Sequence, residues 1–182
     1  MSAEQLEEKL RLVHCSIKTY PDFPKQGILY RDIIPILKDP KAFVAVIDLF
    51  EDHLRKKSAQ TELILGLDAR GFLFGPALAQ RLGIGFVPIR KKGKLPGKVY
   101  SMSYSLEYGE AEIEMQTDAV QPQQKVVLID DLLATGGTLG AACNLLKQAG
   151  AEILECLVVV ELKDLNGIKK LNCVPLYSLV QF

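Results

Sequence analysis

Apolar positions in the first third of the chain recur with the period of a helix. Leu6, Leu10, Val13 and Ile17 fall on one face, and Ser2 with Gln5 three residues on reads as a capping box that opens it. Two prolines and a glycine within residues 20–27 end that helix, and residues 28–37 read as extended, interrupted by Pro35. Asp39 and Pro40 then form an N-cap with proline at the first helical position, ahead of the stripe Phe43, Ile47, Phe50 and Leu54. From residue 62 short apolar runs alternate with helical patterns: strands are predicted over 62–67, 85–90, 126–129, 153–160 and 174–180, with helices over 72–82 and 138–149 and a short one near 164–171. The run 153–160 reads as apolar throughout and buried on both faces. Residues 99–119 alternate with period two at Ala111, Ile113 and Met115 around a turn near Gly109, the pattern of a β-hairpin insertion. The predicted fold is α/β: a doubly wound, mainly parallel sheet flanked by helices, with right-handed crossovers, in one domain over residues 1–182.

Composition narrows the class without naming a chemistry. Of 182 residues 48% are hydrophobic, enough for a substantial core, and 22 basic against 22 acidic side chains leave a formal charge of zero. That balance argues against a nucleic-acid coat or a polybasic membrane anchor. No apolar run approaches the length of a membrane span, and the acidic start of the chain lacks the order of a secretion signal, so a cytoplasmic globule is expected. Cys15, Cys143, Cys156 and Cys173 are scattered and read as buried free thiols. His14 and His53 have no metal-ligand spacing, which argues against a protein-built zinc site.

Candidate chemistry collects at three predicted strand ends, where open α/β sheets bind ligands. One is the turn Asp68-Ala69-Arg70-Gly71; the second is the basic stretch from Arg90 through Lys91, Lys92 and Lys94; the third runs from Asp130 and Asp131 to Thr135-Gly136-Gly137-Thr138. In the third, the glycine turn and the helix N-terminus make a concavity of N–H groups suited to phosphate oxygens, with Thr135 and Thr138 as hydroxyl donors. Asp130 and Asp131 would repel a bare phosphate, so they are expected to accept hydrogen bonds from vicinal hydroxyls or to help place a cation. A sugar bearing a terminal phosphate meets both demands. The loop lacks the Gly-Lys-Thr of a triphosphate P-loop, and no G-x-G-x-x-G occurs, which weakens kinase and dehydrogenase readings.

The stretch 126–138, Val-Val-Leu-Ile-Asp-Asp-Leu-Leu-Ala-Thr-Gly-Gly-Thr, resembles the phosphoribosyl-pyrophosphate signature of type I phosphoribosyltransferases. Residues 20–24, 66–72, 90–97 and 104–109 resemble further segments in the same order, and Ser-Leu-Glu-Tyr-Gly over 105–109 is similar to the adenine-using branch. The family often has Ser where Ala69 stands. The resemblance implies transfer of a 5-phosphoribosyl group from phosphoribosyl pyrophosphate to N9 of adenine, giving AMP and pyrophosphate, with Mg2+ held mainly by substrate oxygens and water rather than by protein ligands.

By resemblance, Ala134, Thr135, Gly136, Gly137 and Thr138 take the 5-phosphate, and Asp130 and Asp131 the ribose hydroxyls. Asp68, Ala69 and Arg70 face pyrophosphate, with Arg90, Lys91 and Lys94 as further contributors, whereas Lys92 and Lys98 read as solvated loop cations. Glu107, on a hairpin loop that would close over the reacting centre, approaches N7 of the base, and Tyr108 assists closure. Backbone groups around Leu29 and Arg31 would read the adenine edge, with Leu132 and Arg31 sandwiching the ring. The resemblance also implies a hood over residues 1–37, a flexible insertion over 99–119, and a homodimer. It predicts neither nucleic acid nor membrane as a partner. A phosphoribosyltransferase for another base, and a non-catalytic ligand sensor, remain as alternatives.

Overall fold

The computed structural model describes residues 1–105 and 110–182. Helix α1 (Ala3–Ser16) opens on the reciprocal Ser2–Gln5 capping box that the sequence predicts. Strands β1 (Lys18–Pro21) and β2 (Leu29–Asp32) then form a two-stranded antiparallel ribbon. The extended stretch expected over 28–37 is shorter than its pattern suggests. Pro35 lies in the first turn of helix α2 (Ile34–Lys38), where a missing N–H costs nothing. Asp39 caps α3 (Pro40–Lys57) by accepting from the Lys41 N–H.

The main sheet alternates with helices as predicted: β3 (Leu63–Leu67), α4 (Gly71–Leu82), β4 (Gly85–Lys91), β5 (Val99–Ser105), β6 (Glu110–Gln116), β7 (Lys125–Leu133), α5 (Gly137–Gln148), β8 (Glu152–Glu161) and β9 (Leu176–Gln181). Its order is β5-β6-β4-β3-β7-β8-β9, with β4, β3, β7, β8 and β9 mutually parallel and β6 antiparallel to both β4 and β5. Alternate strand residues feed two cores. Ile64, Val127, Ile129 and Leu157 pack under α1, α3 and α4, whereas Leu65, Leu128, Cys156 and Val158 pack with α5 on the other face. The sheet is therefore doubly wound.

Three further expectations change. The hairpin over 99–119 is present but forms the edge of the main sheet, β6 pairing with β4 at Arg90 and Lys91. Tyr100, Met102 and Tyr104 pack on the α5 core, because alternation places them on one face of β5. Strand β8 is not apolar throughout: Glu155 is buried in it, accepting hydrogen bonds from His53 Nε2 at 2.6 Å and from the Ser58 hydroxyl. Of the cysteines, Cys143 and Cys156 are buried free thiols, but Cys15 and Cys173 are exposed because they lie at the end of α1 and in the turn before β9. No helix among the described residues is long and apolar enough to cross a membrane.

Candidate active site

Strand order reverses at β3. The chain leaves it through α4 to β4 on one side, and later returns as β7 on the other. Such a switch point opens a crevice at the carboxyl ends of the two strands, and both candidate loops emerge there. Gly71 makes the junction close: a Cβ on it would stand 2.5 Å from the Ile129 carbonyl oxygen. The start of α4 can thus lie on β7, and Arg70 Nε donates to Asp131 Oδ2 at 2.5 Å. The Asp68–Ala69 peptide in this turn is cis.

Strand β7 runs four residues past its predicted end, because β8 continues beside it: Asp130 pairs opposite Val158 and Leu133 opposite Glu161. The two carboxylates are therefore strand residues and not part of the loop. Asp131 is buried, and its backbone N–H donates to Asp130 Oδ1 at 2.8 Å. Burial and the adjacent Asp131 carboxylate push the Asp130 pKa well up. Burial alone would lower the pKa of Arg70, but Asp131 outweighs it and keeps the guanidinium charged.

Past Leu133 the chain turns through Gly136, whose φ of +78° suits glycine, into α5 at Gly137. The first N–H groups of that helix have no intrahelical acceptors. Thr138 Oγ1 donates to the Tyr104 hydroxyl at 3.3 Å, tying β5 to this loop. On the other side Arg90 Nε donates to Asp68 Oδ2 at 3.2 Å and Arg90 NH1 to the Lys94 carbonyl at 3.5 Å.

These elements enclose a cavity of about 710 Å³. Its walls bring together Asp68, Ala69, Arg70 and Lys91 on one side, and Asp130, Asp131, Leu132 and residues 134–138 on the other. Arg90 stands behind Asp68, and Lys94, Leu29 and Arg31 are outside the walls. The Arg31 guanidinium lies 3.8 Å from the Phe182 ring centroid and donates to Thr19 Oγ1 at 2.7 Å. Lys92, read as a solvated cation, reaches the wall but is paired with Glu112 at 2.6 Å. Glu107 and Tyr108 lie outside the described residues. Among the described residues, no three His, Cys, Asp or Glu side chains group as a metal cage. Sequence reasoning missed Tyr104 as a wall residue, although its period-two spacing with Tyr100 and Met102 was available; it also missed the demand for space at Gly71, which has no local signal.

A cation-bearing turn, a carboxylate pair and a helix N-terminus thus face one another across the switch point. The family model for the phosphoribosyl transferase domain matches residues 35–172. The chain belongs to the phosphoribosyltransferase family. Adenine phosphoribosyltransferases of Dipodillus campestris and Rattus norvegicus are each 57% identical over 177 residues, covering 97% of this chain and 98% of theirs. The solved adenine phosphoribosyltransferase of Saccharomyces cerevisiae, complexed with an imino-altritol bisphosphate and adenine, superposes with a TM-score of 0.92 at 42% identity, over 95% of this chain and 99% of that one. That of Thermoanaerobacter pseudethanolicus gives 0.90 at 46% identity, over 95% and 99%. Within this phosphoribosyltransferase, one side of the cavity carries the cations Arg70 and Lys91, and the other carries the two carboxylates and the start of α5.

Proposed function

We propose that the chain transfers the 5-phosphoribosyl group of phosphoribosyl pyrophosphate to N9 of adenine, releasing AMP and pyrophosphate. The carrying observation is the two-ended cavity. Amides and hydroxyls of 134–138 take the 5-phosphate at the start of α5, and Asp130 and Asp131 accept from the ribose hydroxyls. Arg70, with Lys91 on the same wall and Arg90 and Lys94 further out, holds pyrophosphate. Close relatives named adenine phosphoribosyltransferases, and the yeast enzyme's complex with adenine, favour that base.

As the bond from C1 to the pyrophosphate oxygen breaks, positive charge grows on the ribose and negative charge on the leaving group. Arg70 keeps its charge beside Asp131, and its bond there uses only Nε, leaving both terminal NH2 groups for the leaving oxygens. A magnesium ion brought by the substrate would be held by phosphate and ribose oxygens and water beside the two aspartates, and would offset leaving-group charge. Adenine attacks from the opposite face of the sugar. Leu132 offers an apolar wall to the ring and backbone groups near Leu29 and Arg31 read its edge, while the family resemblance assigns Glu107 to the N7 side of the base and Tyr108 to closure. The protein acts in the cytoplasm as a homodimer; Ile34, Val44 and Leu73, exposed apolar side chains on three successive helices, offer a surface for a second copy.

Initial rates with magnesium, phosphoribosyl pyrophosphate and one base at a time test this reading. AMP forms from adenine at least about 10²-fold faster than product forms from hypoxanthine, guanine or orotate. Equal or faster turnover of another base overturns the base pocket. Binding of phosphoribosyl pyrophosphate without turnover of any base makes the protein a ligand sensor.

A further inference from the structure

The segment after β8 meets the loop after β7 backbone to backbone. It comprises two 3₁₀ turns, Lys163–Leu165 and Gly167–Leu171. A Cβ built on Gly167 would stand 2.2 Å from the Ala134 carbonyl oxygen and 2.9 Å from the Gly136 nitrogen, and one built on Gly136 would stand 2.2 Å from the Gly167 carbonyl oxygen. Real side chains do not tolerate such approaches. Gly136 has a second reason to be glycine, its positive φ, but Gly167 does not, so only space demands a bare backbone there. The segment is anchored on both sides of the contact. Leu162 N–H donates to the Leu133 carbonyl at 2.9 Å, and Leu171 is fully buried against the α5 core.

We infer that Gly167 is a positioning residue for the phosphate loop. Its unsubstituted backbone fixes how far Ala134 to Gly136 can fall back, and so where the N–H groups of 136–138 converge. The inference rests on the assignment of residues 134–138 to the 5-phosphate. A methyl group at 167 must push the loop toward the cavity or push the turn away from it, and either movement misaims the amides. The pyrophosphate side is carried by the β3–α4 turn and is unaffected.

Calorimetric titration of the whole chain with ribose 5-phosphate and, separately, with inorganic pyrophosphate tests this. Gly167→Ala weakens ribose 5-phosphate binding by at least about tenfold and leaves pyrophosphate within about twofold, as expected for a local misplacement of a binding group. Gly75→Ala, which forces a Cβ to within 2.4 Å of the Phe86 ring on the far face of the sheet, loses stability while keeping ribose 5-phosphate affinity. Should Gly167→Ala not fold, Asn166→Val decides: Asn166 is exposed with φ +52°, a conformation that a β-branched residue strains, and the variant weakens ribose 5-phosphate by at least about threefold. Parent-like ribose 5-phosphate affinity in folded Gly167→Ala, or in Asn166→Val where that substitution decides, overturns the inference. A parent protein that binds pyrophosphate but not ribose 5-phosphate overturns the loop assignment itself, and the inference with it.

Discussion

Arg70 and Asp131 show how one ion pair can prepare a polyanion site. Asp131 is buried, with 6% of its side chain exposed, and it holds a guanidinium that is half exposed at 52%. An ammonium cannot hold a carboxylate and chelate a phosphate in the same planar way. Arg70→Met therefore lowers kcat/KM for phosphoribosyl pyrophosphate by about 10²- to 10³-fold, and Arg70→Lys falls between it and the parent, in steady-state assays with adenine saturating. Parent-like kinetics in Arg70→Met would remove the residue from the reaction. Glu107→Gln is expected to lower kcat by about 10²-fold or more with folding intact, the scale of general acid–base assistance. A change below about threefold ends that role. At this scale the chemistry was legible because charge and glycine turns are local: Asp68, Arg70, Asp130 and residues 134–138 all reach one cavity. Gly71 and Gly167 were not legible as contacts, since their partners lie 58 and 31 to 33 residues away and a glycine carries no sign of what approaches it.

Strand β8 links the site to the rest of the sheet and carries its own polar anchor at the opposite end. Glu155 joins His53 and Ser58 of the α3 region, and the His53 ring stacks on Tyr177 with centroids 3.6 Å apart. Burial alone would raise the pKa of Glu155, but the hydrogen bonds from His53 and Ser58 outweigh it and hold the carboxyl below its ordinary 4.5. A depressed acid stabilises the fold above its unfolded pKa, and that contribution is lost as pH falls through the folded value. Glu155→Gln thus costs about 1–2 kcal/mol in urea unfolding at pH 7. The deficit shrinks as pH falls below 4.5, while the KM values stay unchanged. A pH-independent deficit would contradict an ionised Glu155 carboxylate. Most element types and their order followed from periodicity, but the strand over 18–21 had no pattern to announce it, the helix expected near 164–171 is two 3₁₀ turns, and two boundaries moved. The continuation of β7 through Asp130 and Asp131 depends on β8 running alongside, and the helical turn at Pro35 reads equally well as a break in a strand.

The whole molecule explains why three distant loops act together. A doubly wound order places β3 beside β7, so that turns separated by about 60 residues of sequence face each other across one crevice. Alternation of strands and helices made this fold class readable, whereas the incorporation of the 99–119 hairpin as a sheet edge depends on pairing with β4 that no local pattern reports. The base side was least legible, because backbone groups leave no side-chain pattern, and the Arg31 side chain stands on Phe182 rather than in the cavity wall. The most direct test of the two-ended site is a crystal structure of the protein with AMP, magnesium and pyrophosphate. The 5-phosphate is predicted against the amides of 136–138, the ribose hydroxyls at Asp130 and Asp131, and pyrophosphate on the terminal NH2 groups of Arg70. AMP bound with its phosphate at Arg70, or outside the crevice between β3 and β7, would contradict the account.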